Sequence, residues 1–148
     1  MRLHTPLLFA GLLVLSGSPL SAAPVTGHWL TYKSKAMVRI TQCGTGLCGQ
    51  IVWLKKGLDS RGRPVQDLRN RSANLRGRQV LGLTTFSGLK PSGAKSWSGL
   101  MYNPDDGRTY KGSITLNGRS KILIKACRVG GSACGERTWL RAQQNAQK

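Results

Sequence analysis

Thr109-Tyr110-Lys111-Gly112-Ser113-Ile114-Thr115-Leu116, then Asn117-Gly118, then Ser120-Lys121-Ile122-Leu123-Ile124-Lys125-Ala126-Cys127 is the stretch that decides the fold. In an extended chain, successive side chains alternate between two faces. Tyr110, Gly112, Ile114 and Leu116 therefore share one face, and Thr109, Lys111, Ser113 and Thr115 share the other. One face is dry and one is wet, which is the pattern of a half-buried strand. The second run repeats it, with Ile122, Ile124 and Ala126 set against Lys121 and Lys125. Asn-Gly between two such runs is the strongest short hairpin signal, because the turn that matches strand twist needs positive φ. The two runs are predicted to pair antiparallel.

Outward from this hairpin, similar runs occupy Gly27–Lys33, Ala36–Gln42, Cys48–Leu54, Gln79–Phe86, Lys95–Tyr102 and Glu136–Arg141. Glycine, proline, asparagine and aspartate separate them, and no segment keeps a helical period. With the central hairpin this makes about eight strands. The fold class is all-β, a small up-and-down antiparallel barrel, since closure removes exposed sheet edges. A two-sheet β-sandwich is the alternative. One segment breaks the short-turn scheme. Residues 55–78 hold Lys55, Lys56, Arg61, Arg63, Arg69, Arg71, Arg76 and Arg78 against only Asp59 and Asp67, with no strand pattern. Loops of that length in a small domain are usually functional or disordered.

The N-terminus has Arg2, an apolar run from Leu7 to Leu15, and a stretch to Ala23 containing Pro19, Ser21 and Ala23. That order is the order of a secretory signal peptide. The run is about half of the roughly 20 residues that cross a bilayer, so no membrane span is expected. Cleavage after Ala23 would leave one domain, residues 24–148, exported to the periplasm or beyond the cell. The chain carries 23 basic and 5 acidic residues, a formal charge of +18, and loss of Arg2 with the leader lowers this by one. Such an imbalance repels itself and speaks of partners rather than of fold.

All four cysteines, Cys43, Cys48, Cys127 and Cys134, follow the leader. An exported chain meets an oxidising compartment, so two disulfides are expected. Each of the pairs Cys43 with Cys48 and Cys127 with Cys134 brackets a glycine-containing turn, which favours those pairings among the three possible. A four-thiolate zinc site is the competing reading, but these intervals fit a zinc ribbon poorly.

The chain also resembles a family of exported bacterial proteins catalogued as domain of unknown function 2147. The matching residues are Gly27-His28-Trp29-Leu30, Cys43, Leu47-Cys48-Gly49-Gln50-Ile51-Val52-Trp53-Leu54, Asp67 with Asn70, Leu81-Gly82-Leu83, Trp97-Ser98-Gly99, Tyr102 to Tyr110, and Thr138-Trp139-Leu140-Arg141. The chain departs from the family where Arg71 follows Asn70, a place usually held by proline, and in its basicity. The resemblance implies a lipocalin-like barrel. In that wider group an N-terminal Trp closes the barrel floor beneath a C-terminal Arg, which implies Arg141 stacked over Trp29 as a structural closure.

Enzyme chemistry finds little footing. Acid–base catalysis needs titratable groups in contact, and beyond the leader the chain has one histidine, His28. Asp105 and Asp106 sit in Asn103-Pro104-Asp105-Asp106-Gly107, whose composition is that of a tight turn. No cofactor motif, metal-ligand cluster or glycine-rich phosphate loop is present, so a non-enzymatic binding protein is expected. Two readings follow. In the first, Lys55, Lys56, Arg61, Arg63, Arg69, Arg71, Arg76 and Arg78 bind polyanions, such as extracellular DNA or anionic envelope glycans, without sequence preference. In the second, the barrel carries a small apolar or amphipathic ligand lined by Val38, Ile40, Tyr110, Ile114, Leu116, Ile122 and Ile124. Those side chains could equally fill the barrel, and Trp53 and Trp97 read as core.

Overall fold

The computed structural model describes residues 24–143. The signal peptide assigned to residues 1–23 lies outside the described residues, as does the end of the polar tail.

The strands are β1 (Gly27–Leu30), β2 (Ala36–Cys43), β3 (Gly46–Leu54), β4 (Thr84–Gly93), β5 (Ser96–Asn103), β6 (Arg108–Asn117), β7 (Lys121–Arg128) and β8 (Cys134–Arg141). Each pairs antiparallel with the next, and β1 pairs with β8, so the sheet closes into a barrel in sequence order. The sandwich alternative is thereby excluded. β6 and β7 pair from Tyr110↔Arg128 to Asn117↔Lys121, with Gly118 at φ 68 in the connection. A side chain is strained at that angle and glycine is not.

One strand assignment and one core assignment need correction. The fourth strand runs over Thr84–Gly93 rather than Gln79–Phe86. Residues 79–83 form a loop instead, with Gly82 at φ 87 and the Ile51 amide bonded to the Leu83 carbonyl at 2.9 Å. Trp53, read as core, points outward and is 43% exposed. Its cause is a β-bulge, since the register jumps from Met37↔Trp53 to Val38↔Ile51 and leaves Val52 as the extra residue. A bulge inverts the alternation beyond it, turning Trp53 out and Leu54 in.

The inner face is filled at one end only. Trp29, Ile40, Leu47, Leu89, Ile114 and Ile122 are buried there in one cluster. Glycine makes room for the large rings, for a Cβ on Gly49 would strike the Phe86 side chain. Trp97 packs against this cluster while remaining partly exposed. At the same end the Arg141 guanidinium lies 4.2 Å from the Trp29 ring centroid. It donates to the carbonyls of Pro24, Thr26 and Arg119 at 2.6, 3.0 and 2.6 Å. The indole Nε1 donates to the Val25 carbonyl at 2.8 Å. These contacts cover Trp29 at the floor, where a second, smaller cavity of about 440 Å3 bordered by Val25, Leu47, Trp97 and Leu116 also lies.

Two disulfides, Cys43–Cys48 and Cys127–Cys134, each close a hairpin, β2–β3 at the floor and β7–β8 at the opposite end. The thiols are consumed, so a zinc site of four thiolates does not form.

Candidate ligand cavity

Away from the floor the barrel is hollow. A cavity of about 1350 Å3 opens at the end where β1, β3, β5 and β7 finish. Its walls are apolar: Val38, Ile51, Val80, Met101, Ile124 and Trp139 line it. Of the seven residues named from sequence as lining, Val38, Tyr110 and Ile124 face this space. Ile40, Ile114 and Ile122 do not line it and lie in the buried core, and Leu116 borders the smaller cavity at the floor. The inner face is thus packed around Trp29, Ile40, Ile114 and Ile122 and hollow toward the mouth.

Residues 55–78 build one wall of the mouth rather than a free arm. Val65 and Val80 are joined by a backbone hydrogen bond of 3.0 Å, and both pack on the core cluster. The pin is Asp67, which is fully buried. Its carboxylate accepts from the Tyr102 hydroxyl at 2.6 Å, from Asn70 Nδ2 at 2.9 Å and from Arg78 Nε at 2.9 Å. Tyr102 stands on β5, so the network fastens the loop to the barrel. A second fastening joins the loop to the β5–β6 turn. Arg69 donates to the Asp105 carbonyl at 2.7 Å, and Gly107, at φ 69, leaves no space for a Cβ against the Arg69 carbonyl.

The loop cations named as a polyanion surface are exposed, but several serve the loop itself. Arg63 pairs with Asp59 at 2.9 Å and Arg78 with Asp67 at 2.9 Å. The Asp59 carboxyl is held below the usual carboxylate range, chiefly by the Arg63 backbone N–H. Arg76 donates to the Asn70 carbonyl at 2.7 Å, and Arg69 is committed as described. Lys55, Lys56 and Arg69 line the cavity mouth, whereas Arg61, Arg63, Arg71, Arg76 and Arg78 do not. Four of the six loop arginines, Arg63, Arg69, Arg76 and Arg78, thus hold the loop or its neighbouring turn in place.

Two tyrosines at the mouth are tuned by their partners. Tyr102 is pushed above its ordinary value by burial and then by its bond to Asp67. Tyr110 is pushed up first by its hydrogen bond to Asp106 and then by burial. The neutral phenol is the form that donates, so the folded state holds these protons more tightly than the unfolded chain. Their contribution is complete below pH about 10 and is lost as pH rises through the folded values. The urea midpoint is expected to fall as pH is raised past about 10, with a shallower fall in Tyr102→Phe and Tyr110→Phe.

Among the described residues no group of three or more His, Cys, Asp or Glu is placed to hold a metal, and no helix is long and apolar enough to cross a membrane. The sequence pattern of the bacterial family described as "Uncharacterized protein conserved in bacteria (DUF2147)" matches residues 27–141. The chain belongs to this family. No curated protein matches it in sequence. Among solved structures it is similar to one described as "Protein HP1028 from the human pathogen Helicobacter pylori belongs to the lipocalin family". That likeness has a TM-score of 0.70 at 20% identity and covers 82% of this chain and 85% of the other. The barrel of this family member is thus lipocalin-like.

Residues 55–78 were legible as a special segment, but Val65 and Val80 as cavity wall were not. Arg128 and Arg137 also line the cavity. The alternation Ile122, Ile124, Ala126 carried one step further points at Arg128, a signal the strand boundary at Cys127 concealed.

Proposed function

We propose that the protein is a non-catalytic, exported carrier that holds a small apolar or amphipathic ligand inside the barrel. The carrying observation is the largely apolar cavity of about 1350 Å3, open at one end and backed by the buried core around Trp29. The volume exceeds the roughly 300–1000 Å3 usual for small-molecule sites because it takes in the open mouth, and eight-stranded barrels can hold one such ligand. The lipocalin-like neighbour supports the same reading at the level of fold. Two disulfides support action in an oxidising compartment, periplasmic or extracellular. The loop arginines, largely engaged with the loop itself, lend the polyanion reading less than the cavity lends this one.

The test is titration with the apolar fluorophore N-phenylnaphthylamine. Saturable binding is expected, with quenching of Trp139 on the cavity wall. Ala126 also lines the cavity, so Ala126→Trp places a large ring in the space and should weaken binding by about tenfold or more. Unchanged affinity in a folded Ala126→Trp, or no saturable binding by the wild type, would remove the carrier proposal.

A further inference from the structure

The walls of the cavity are apolar, but its upper part is lined by cations with almost no carboxylate among them. Lys33, Lys35, Lys55 and Lys56 stand at the mouth together with Arg69. Arg128 and Arg137, both exposed, also line it. Paired residues of an antiparallel ladder share a face. Arg128 is opposite Tyr110 and Arg137 is opposite Ile124. Tyr110 and Ile124 both line the cavity, so the two arginines stand on the inner face.

No internal counter-charge meets them. The chain has five carboxylate side chains, and among the described residues none forms a salt bridge with Arg128 or Arg137. Asp59 is held by Arg63 and Asp67 by Arg78. Asp105 lies at the rim, 3.5 Å from Lys35. Asp106 accepts from the Tyr110 hydroxyl and the Arg108 amide. Glu136 lies opposite Lys125, on the outer face of the β7–β8 ladder. Arg137 stacks 5.0 Å from the Tyr32 ring centroid and donates to the Glu136 carbonyl at 2.7 Å, neither of which neutralises it.

We propose that the ligand is an anionic amphiphile, whose apolar tail fills the cavity and whose carboxylate or phosphate head is held by Arg128 and Arg137, with the mouth lysines contributing attraction. This rests on the carrier reading and adds the sign of the head group. Arginine is suited to the task because its planar fork offers paired N–H donors to oxyanions. Apolar walls beside two guanidinium groups that lack a salt bridge would disfavour a cationic amphiphile. A polymer such as DNA could reach the rim but not the apolar walls.

The experiment displaces N-phenylnaphthylamine with four ligands that share one tail: dodecanoate, dodecyl phosphate, dodecanol and dodecyltrimethylammonium. The two anions are expected to bind about tenfold or more tightly than dodecanol, since hydrogen bonds to charged groups exceed neutral ones by about that factor. The cation should bind most weakly. In Arg128→Gln/Arg137→Gln the advantage of the anions should collapse while dodecanol affinity stays, which also shows that the variant is folded. Preference between carboxylate and phosphate identifies whether a free fatty acid or a phospholipid-type head is the natural form. Equal affinity for dodecanoate and dodecanol, or an anion preference that survives in the double variant, would overturn the anionic-head proposal alone. Failure of every ligand to displace the fluorophore would overturn it together with the carrier reading.

Discussion

Asp67→Ala is expected to lower the unfolding free energy by about 3–5 kcal/mol, measured as a shift of the urea midpoint at unchanged slope. The carboxylate has no water contact and satisfies three side chains at once, from Tyr102, Asn70 and Arg78. Removing it orphans part of the buried Asn70 amide and the Tyr102 hydroxyl, and each such group costs about 1–3 kcal/mol. The Arg78 share is smaller. Its side chain is 39% exposed, so water takes over much of what the guanidinium loses. Asp67→Asn keeps an acceptor for Tyr102 and should fall between wild type and the alanine variant. Because the network fastens residues 55–78 to β5, proteolysis within that segment should accelerate in Asp67→Ala. A cost under about 1 kcal/mol would mean that the loop is held by Val65 and Val80 instead.

The same residue marks a boundary between what the sequence discloses and what it withholds. β6 and β7 were legible because their alternation is unbroken and Asn117-Gly118 forces a turn between them. Closure followed from the number of runs and the absence of helical periods. The fourth strand was misplaced for a physical reason. Val80, Leu81 and Leu83 have strand-like composition, yet Val80 and Leu83 are buried as loop, while Gly88, Pro91 and Gly93, which read as punctuation, lie inside β4. The ladder accepts them because its register slips at that point, between Phe86↔Met101 and Lys90↔Ser98. Trp53 failed similarly, since one bulge at Val52 reverses every later side chain and no local pattern announces it.

The cavity was less legible than the barrel because its extent depends on which inward side chains meet across it, a long-range fact. Ile114 and Tyr110 share a face of one strand, yet one is packed and the other borders empty space. The basic composition pointed toward an anion but not to its place. Counting charges along residues 55–78 drew attention to the loop. In three dimensions its two acids neutralise two of its arginines, whereas Arg128 and Arg137, outside that segment, border the hollow and form no salt bridge among the described residues. Charge density along a chain and charge left unpaired in space are different quantities, and recognition depends on the second.

Trp29→Ala is expected to cost about 3–5 kcal/mol, the range for deleting a large buried aromatic side chain. Trp29 has no exposed surface, its Nε1 satisfies the Val25 carbonyl, and Arg141 covers its ring. The cost has separable parts, which other variants isolate. Trp29→Phe keeps most of the volume but leaves the Val25 carbonyl without its donor, a loss of about 1–3 kcal/mol. Arg141→Met removes the stacked guanidinium, worth roughly 0.5–2 kcal/mol, along with its bonds to three carbonyls. The two residues share one contact, so their effects should be non-additive, and a double-mutant cycle should return a coupling of about 0.5–3 kcal/mol. The functional consequence follows from the barrel's polarity. The packed core under the cavity is what makes the barrel a cup, and Trp29 is the largest fully buried side chain in it. A folded Trp29→Ala barrel should therefore release N-phenylnaphthylamine faster than wild type, through a second exit. If stability falls as expected but release is unchanged, Ile40, Ile114 and Ile122 close the floor on their own, and Trp29 secures the ends of the chain rather than the cavity.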